Sequence, residues 1–262
     1  LFRALLPQAE NSGDRVYVAE LLTQIARTLG LQQKFVEAHI LLNEVDAMLC
    51  DDQGRPRVRY LLERGRVFNS SGAREKARPL FVQAWELAKQ AGEDGFAVDA
   101  AHMLAIVAEG QEALEWNLKA LQMAETSAQE RAQQWRGSLY NNLGWAYHDL
   151  GQYSEALAMF ERALSLREAA GQAAPVRIAR WCIARTLRSL GRTEEALEAQ
   201  RALLLRIAWL EGLERTVPEP FGDQRQRSYP RFFPHAIALP HAGAARQVHP
   251  APAAVHALPA FV

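Results

Sequence analysis

The chain has 262 residues, a formal net charge of zero, 49% hydrophobic residues and 23% charged residues. These values fit a globular chain of one or two domains, and they exclude an overall charge-driven attraction to nucleic acid or anionic membrane. Its two cysteines, Cys50 and Cys182, lie far apart and in no metal-binding motif, so both are read as buried free thiols.

The first thirteen residues open on Leu1-Phe2-Arg3-Ala4-Leu5-Leu6 without an initiator Met. Gln8, Glu10 and Asp14 follow too soon for a signal peptide. Residues 1–13 are expected to be the end of a preceding helix or a truncated repeat, in a fragment or processed chain of cytoplasmic origin. Residues 14–211 read as helix almost throughout. Apolar residues recur at three- and four-residue steps, as in Leu21, Leu22, Ile25, Ala26 and Leu29. Breaks fall at Gly30, Gly54 with Pro56, Ser70-Ser71-Gly72, Gly92 to Gly95, Gly110, Gly151, Gly171 to Pro175, and Gly191. Pro56 and Pro175 suit the first turn of a helix. Pro79 is placed either in a late first turn or at a kink. No run of about 18 apolar residues exists, so no transmembrane helix is expected.

Composition changes after residue 216. Eight of the twelve prolines fall in 217–262, with His235, His241, His249 and His256 among alanines. Proline at this density blocks helix, and residues 212–262 are expected to be an irregular or disordered tail. A frameshifted end in a GC-rich gene would give a similar mixture.

An alanine recurs at one point of a shared local pattern: Ala38, Ala77, Ala113, Ala156 and Ala196, at intervals of 39, 36, 43 and 40 residues. The clearest copy carries Tyr140, Leu143, Gly144, Tyr147, Gly151, Ala156, Phe160 and Ala163. Others carry Leu61, Gly65, Phe68, Gly72, Ala77, Phe81 and Ala84, or Ile183, Ala184, Leu187, Gly191, Ala196 and Leu203. The copy around Ala38 is looser. The copy around Ala113 lacks the turn glycine and puts Trp116 one residue early. Helix pairs of this length cannot bury their apolar faces alone, so neighbours stack into a solenoid. Two helices approach closely where one is small, and Gly144 against Ala156 is the expected contact.

These residues resemble the tetratricopeptide repeat, with repeats near 40 residues like those of kinesin light chains and bacterial helical sensor domains. The resemblance covers 14–211. It implies an all-α, right-handed superhelical solenoid of about five antiparallel helix pairs, with the first helix of each pair on the concave face. Groove positions implied by the best copy are Asn141, Asn142, Trp145, His148 and Asp149. Further groove residues are Thr23, Gln24 and Arg27; Arg59, Glu63, Arg66 and Asn69; Asp99 and His102; and Trp181, Arg185 and Arg188. Asparagine can bond an extended peptide backbone, arginine binds carboxylates, and aromatic surface supplies contact area. Arg27, Arg66, Asn141, Asn142, Trp145, His148, Arg185 and Arg188 are the candidate peptide-binding set, favouring an acidic peptide. Charged residues on such a face are also commonly just solvated, and Trp145 has an alternative place in the core.

No phosphate loop, zinc helix or nucleophile elbow is present, and neither cofactor nor metal is expected. The widely spaced tail histidines do not form a zinc motif. The expected function is a non-catalytic scaffold binding a protein or peptide partner, with no nucleic acid and no membrane. The alternative is a sensor or regulatory segment of a larger bacterial signalling or transcription-activator protein.

Overall fold

The structure is a computed structural model that describes residues 2–49 and 54–210, with side chains as far as Leu204. The anticipated tail and Cys50 lie outside the described residues. Helices follow one another in order: α1 Phe2–Ser12, α2 Arg15–Leu31, α3 Phe35–Met48, α4 Gly54–Ser70, α5 Arg74–Gln90 and α6 Asp94–Val107. They continue with α7 Gly110–Thr126, α8 Glu130–Gln133, α9 Arg136–Asp149, α10 Tyr153–Ala169, α11 Ala173–Ser189 and α12 Thr193–Leu210. Residues Leu1–Gln200 make up one compact unit, and Arg201–Val262 fall to another.

Within the first unit, α2/α3, α4/α5, α6/α7, α9/α10 and α11 with the start of α12 are the helix pairs of an all-α solenoid. First helices pack on first helices, α2 on α4 and α4 on α6. Each second helix also packs on the next first helix: α3 on α4, α5 on α6, α7 on α9 and α10 on α11. Stacking thus buries both sides of each pair, and α6, at the centre, is buried from Gly95 to Ala105.

Four of the five pairs turn on a common device, whereas α6 ends with Ala108 in extended conformation. After α4, Gly72 adopts a left-handed φ of 87°, and Ala73 N–H returns to the Phe68 carbonyl at 2.9 Å. This Schellman closure satisfies carbonyls that the helix end leaves open. The looser first copy builds the same closure without glycine. Gln33 takes a φ of 61°, and Lys34 N–H returns to the Leu29 carbonyl at 2.9 Å. Pro56 and Pro175 stand in first turns, whereas Pro79 lies in the second turn of α5. There it removes the N–H that would bond the Glu75 carbonyl.

The close contact in the best pair differs from the expectation. A Cβ on Gly144 would lie 2.5 Å from the Phe160 ring, so the glycine makes room for an aromatic ring rather than for Ala156. Gly65 does the same for Phe81, at 2.4 Å. Both phenylalanines are fully buried. The same sequence separation pairs Ala26 with Leu42 and Ala101 with Asn117. Where the first helix has alanine, the second helix carries no aromatic at this point.

The long interval between Ala113 and Ala156 also has a cause. It contains α8, an extra turn packed on α6 and α7. Ser127 Oγ donates to Asp94 Oδ2 at 2.6 Å, and Gln129 Nε2 donates to the Gly92 carbonyl at 2.6 Å. These bonds pin the insertion to the start of α6.

Candidate functional site

The first-helix residues form two groups. In the first, charged side chains from three successive pairs engage one another. Arg27 on α2 donates to Glu63 Oε1 on α4 at 3.1 Å. Arg66, one turn along α4, donates to the same oxygen at 2.6 Å and also pairs with Asp99 on α6. His102, one turn after Asp99, faces Asn142 on α9, with Nδ2 to Nδ1 at 3.2 Å. The His102 ring also lies 5.3 Å from that of Trp135. Polar side chains therefore run from α2 through α4 and α6 to α9.

Burial makes these contacts matter. Burial alone would raise the Asp99 pKa, but the charge and hydrogen bonds of Arg66 outweigh it and hold the carboxylate ionised. Burial works against the charge of Arg66 too, yet Asp99 and Glu63 raise its pKa above the ordinary arginine value. His102 has no such compensation. Burial pushes its pKa down to about 4, against the pull of Asp99, and the ring stays neutral.

Of the candidate peptide-binding residues, Arg27 and Arg66 are thus engaged between repeats. Asn141 is also turned inward. Its Oδ1 accepts from Arg167 Nη1 at 3.4 Å and from Cys182 Sγ at 3.8 Å. Consecutive residues on a helix cannot share one face, so Asn141 and Asn142 point to different surroundings. Cys182 is a buried free thiol, as read from the sequence, and burial raises its pKa to about 12.

The second group lies between α9 and α11. Trp145 and Trp181 are half-buried, with ring centroids 6.0 Å apart. Trp145 also meets the edge of Phe160 at 5.2 Å, so it serves both the core and the inter-repeat surface. The Arg185 guanidinium lies 5.7 Å from the Trp145 ring centroid and 5.9 Å from that of Trp181. Its Nε is buried without a hydrogen-bond partner among the described residues. His148 contacts Trp145 at 5.4 Å, and its Nε2 is 3.0 Å from Ser189 Oγ. Burial, then the charge of Arg185, lowers the His148 pKa below its ordinary value, although Asp149 opposes this. Arg188 is exposed one turn beyond Arg185. The structure therefore brings Trp145, His148, Trp181 and Arg185 together.

Among the described residues, no group of three or more His, Cys, Asp or Glu side chains is arranged to hold a metal ion. No described helix is long and apolar enough to cross a membrane. Sequence reasoning grouped Glu63 and Asp99 with the groove without pairing them to Arg66. It also passed over Arg55 and Arg131, which stand with Arg59 around Phe96. The signal for Arg55 and Arg59 was their spacing of four residues, which places both on one face of a helix.

Comparison with known proteins agrees with this architecture. The tetratricopeptide-repeat profile matches residues 97–169. A Podosopora anserina protein described as a kinesin light chain of nearly identical TPR-like repeats shares the fold, with a TM-score of 0.62 and 19% identity. That match covers 75% of this chain and 98% of the other. BtubC (BKLC) from P. vanneervenii superposes with a TM-score of 0.69 and 17% identity, covering 87% of this chain and 95% of the other. A signal-transduction ATPase with numerous domains from Pyrococcus horikoshii, which bears a tetratricopeptide-repeat sensor, gives 0.66 and 16% identity. That match spans 80% of this chain and 33% of the ATPase. No curated protein sequence matches the chain. The matched residues, the stacked helix pairs and the roughly 40-residue period lead to one assignment: residues 97–169 are tetratricopeptide repeats, and the chain has the fold of a tetratricopeptide-repeat solenoid with long repeats.

Proposed function

We propose that this chain is a non-catalytic interaction scaffold that binds an extended, acidic peptide on its first-helix face, centred on α9 and α11. Tetratricopeptide repeats generally mediate protein–protein interaction, which supports the broad reading. The observation that carries the finer one is Arg185 lying against Trp145 and Trp181 with a buried, unpartnered Nε. Aromatic rings beside an arginine combine apolar contact area with carboxylate recognition, the composition of interface hot spots. Arg188 extends the basic surface by one turn, and Asn142 and His148 supply polar groups on α9. Arg27 and Arg66 belong to the same proposed face and link its helices through Glu63 and Asp99, whereas Asn141 is turned inward.

The test is selection of displayed peptides against the full chain, followed by affinity measurement of the selected peptide. Arg185→Glu with Arg188→Glu should weaken an acidic peptide at least about tenfold, because two attractive pairs become repulsive. Added salt should weaken the wild-type complex. Equal affinity in the double variant, or selection of basic peptides, contradicts this reading.

A second reading is prompted by the likeness to the repeat sensor of the Pyrococcus horikoshii ATPase. The repeats would then pass ligand binding to an effector domain of a longer protein. An adjoining nucleotide-binding or DNA-binding module in the complete gene supports that reading, and a gene without one contradicts it.

A further inference from the structure

A second cluster of arginines stands on the first-helix row, away from α9 and α11. Phe96 opens α6 with its ring buried. Three guanidiniums gather on that ring: Arg131 at 4.0 Å from the centroid, Arg55 at 5.7 Å and Arg59 at 5.9 Å. Gly95 permits the closest of them. A Cβ there would lie 2.7 Å from Arg131 Cγ, so only glycine lets Arg131 cross α6 to reach the ring.

The positive charge is poorly balanced. Glu20 is the carboxylate at ion-pair distance, 3.5 Å from Arg55 and 4.0 Å from Arg59. Asp99 acts on Arg131 but is held by Arg66, Glu63 acts on Arg59 but is held by Arg27 and Arg66, and Glu93 contributes a smaller negative charge. Arg59 is only 14% exposed, and its Nε is buried with no hydrogen-bond partner among the described residues. Burial lowers the pKa of Arg59 and Arg131 below the usual arginine value. Glu20 and Glu63 on Arg59, and Asp99, Glu93 and Glu20 on Arg131, offset part of this, while Arg55 lowers both.

We propose that Arg55, Arg59 and Arg131, gathered on Phe96, bind a phosphate group. Each guanidinium offers up to five N–H donors, more than the two oxygens of Glu20 can accept. A tetrahedral dianion presents oxygens in several directions and carries the charge that the three arginines lack. Arginine forks match phosphate oxygens bidentately. Phe96 holds the guanidiniums through cation–π contact, so little ordering is left for the ligand to impose. The site is independent of the peptide surface on α9 and α11 and stands whether or not that surface binds peptide.

Titration calorimetry of the full chain with inorganic phosphate, and in parallel with N-acetyl-O-phosphoserine amide, tests this. Saturable one-to-one binding is expected. Arg59→Gln and Arg131→Gln should each weaken it about tenfold, the usual effect of losing a charge-assisted hydrogen bond. Glu20→Gln should tighten it, since a competing carboxylate is gone. Arg131 is exposed, so its variant keeps the fold should Arg59→Gln lose it. Lys119→Gln, exposed on α7 and outside both surfaces, should bind as wild type. Stronger binding of the phosphoserine derivative assigns the site to a phosphorylated side chain, and equal or weaker binding assigns it to a free phosphate. Absence of saturable binding of both probes overturns the proposal. So does unchanged affinity in Arg131→Gln, or equal loss in Lys119→Gln.

Discussion

Gly144 is set against a ring, and that fixes which neighbours it tolerates. Alanine there forces the fully buried Phe160 ring to move. The overpacking should cost about 1–3 kcal/mol in chemical denaturation, despite alanine's better helix propensity. Phe160→Leu in the Gly144→Ala background should recover part of that loss, because the first pair joins Ala26 to Leu42 at the same separation. Additive losses in the double variant would show that the two positions do not share a contact. At Gln33 the strain is in the backbone. Its φ of 61° is unfavourable for a side chain with a Cβ, and three other pairs put glycine, Gly72, Gly151 and Gly191, at the same point of the turn. Gln33→Gly should raise stability by about 0.5–1 kcal/mol, the left-handed penalty removed less the entropy of glycine. An unchanged or lower melting temperature contradicts this.

At the scale of elements, the helix pairs and their glycine turns were legible because burial repeats at helical spacing through every copy. The extra turn α8 was not. Its four residues are too few to show periodicity, and hydrogen bonds from Ser127 and Gln129 to the start of α6 anchor its approach. The candidate site was legible only in part. Trp145, His148 and Arg185 do meet Trp181, but the spacing could not tell that Arg66 is committed to Glu63 and Asp99. Nor could it tell which of two adjacent asparagines turns inward. Those outcomes depend on how neighbouring pairs lie against each other. The polar run across α2, α4, α6 and α9 has a pH signature. The pKa of His102 falls from 6.5 unfolded to about 4 in the fold. Its contribution is complete above pH 6.5 and is lost as pH falls toward 4, because the unfolded chain then binds a proton that the folded chain refuses. The loss should be roughly 3 kcal/mol at most. His102→Gln should flatten the denaturation free energy across that range, and an unaltered slope would show that other groups set it.

Taken as a whole molecule, the chain uses stacked pairs to hold two differently composed surfaces on one row of helices. One is a tryptophan–arginine surface at α9 and α11, and the other is an arginine cluster on Phe96. The ion-paired residues of α4 and α6 tie the first helices of neighbouring pairs together, and the proposed peptide surface lies on α9 and α11. Arg188 is exposed, and such arginines contribute little to stability, so Arg188→Glu should leave the melting temperature nearly unchanged while weakening the selected peptide. An early-melting variant would make this arginine structural instead. The most direct test of peptide binding on this face is hydrogen–deuterium exchange of the full chain with and without the selected acidic peptide. Protection is expected over residues 141–149 of α9 and 181–188 of α11, with the outer second helices α5 and α7 unchanged. Protection confined to α5, α7 and α10 would contradict a partner site on the first-helix face.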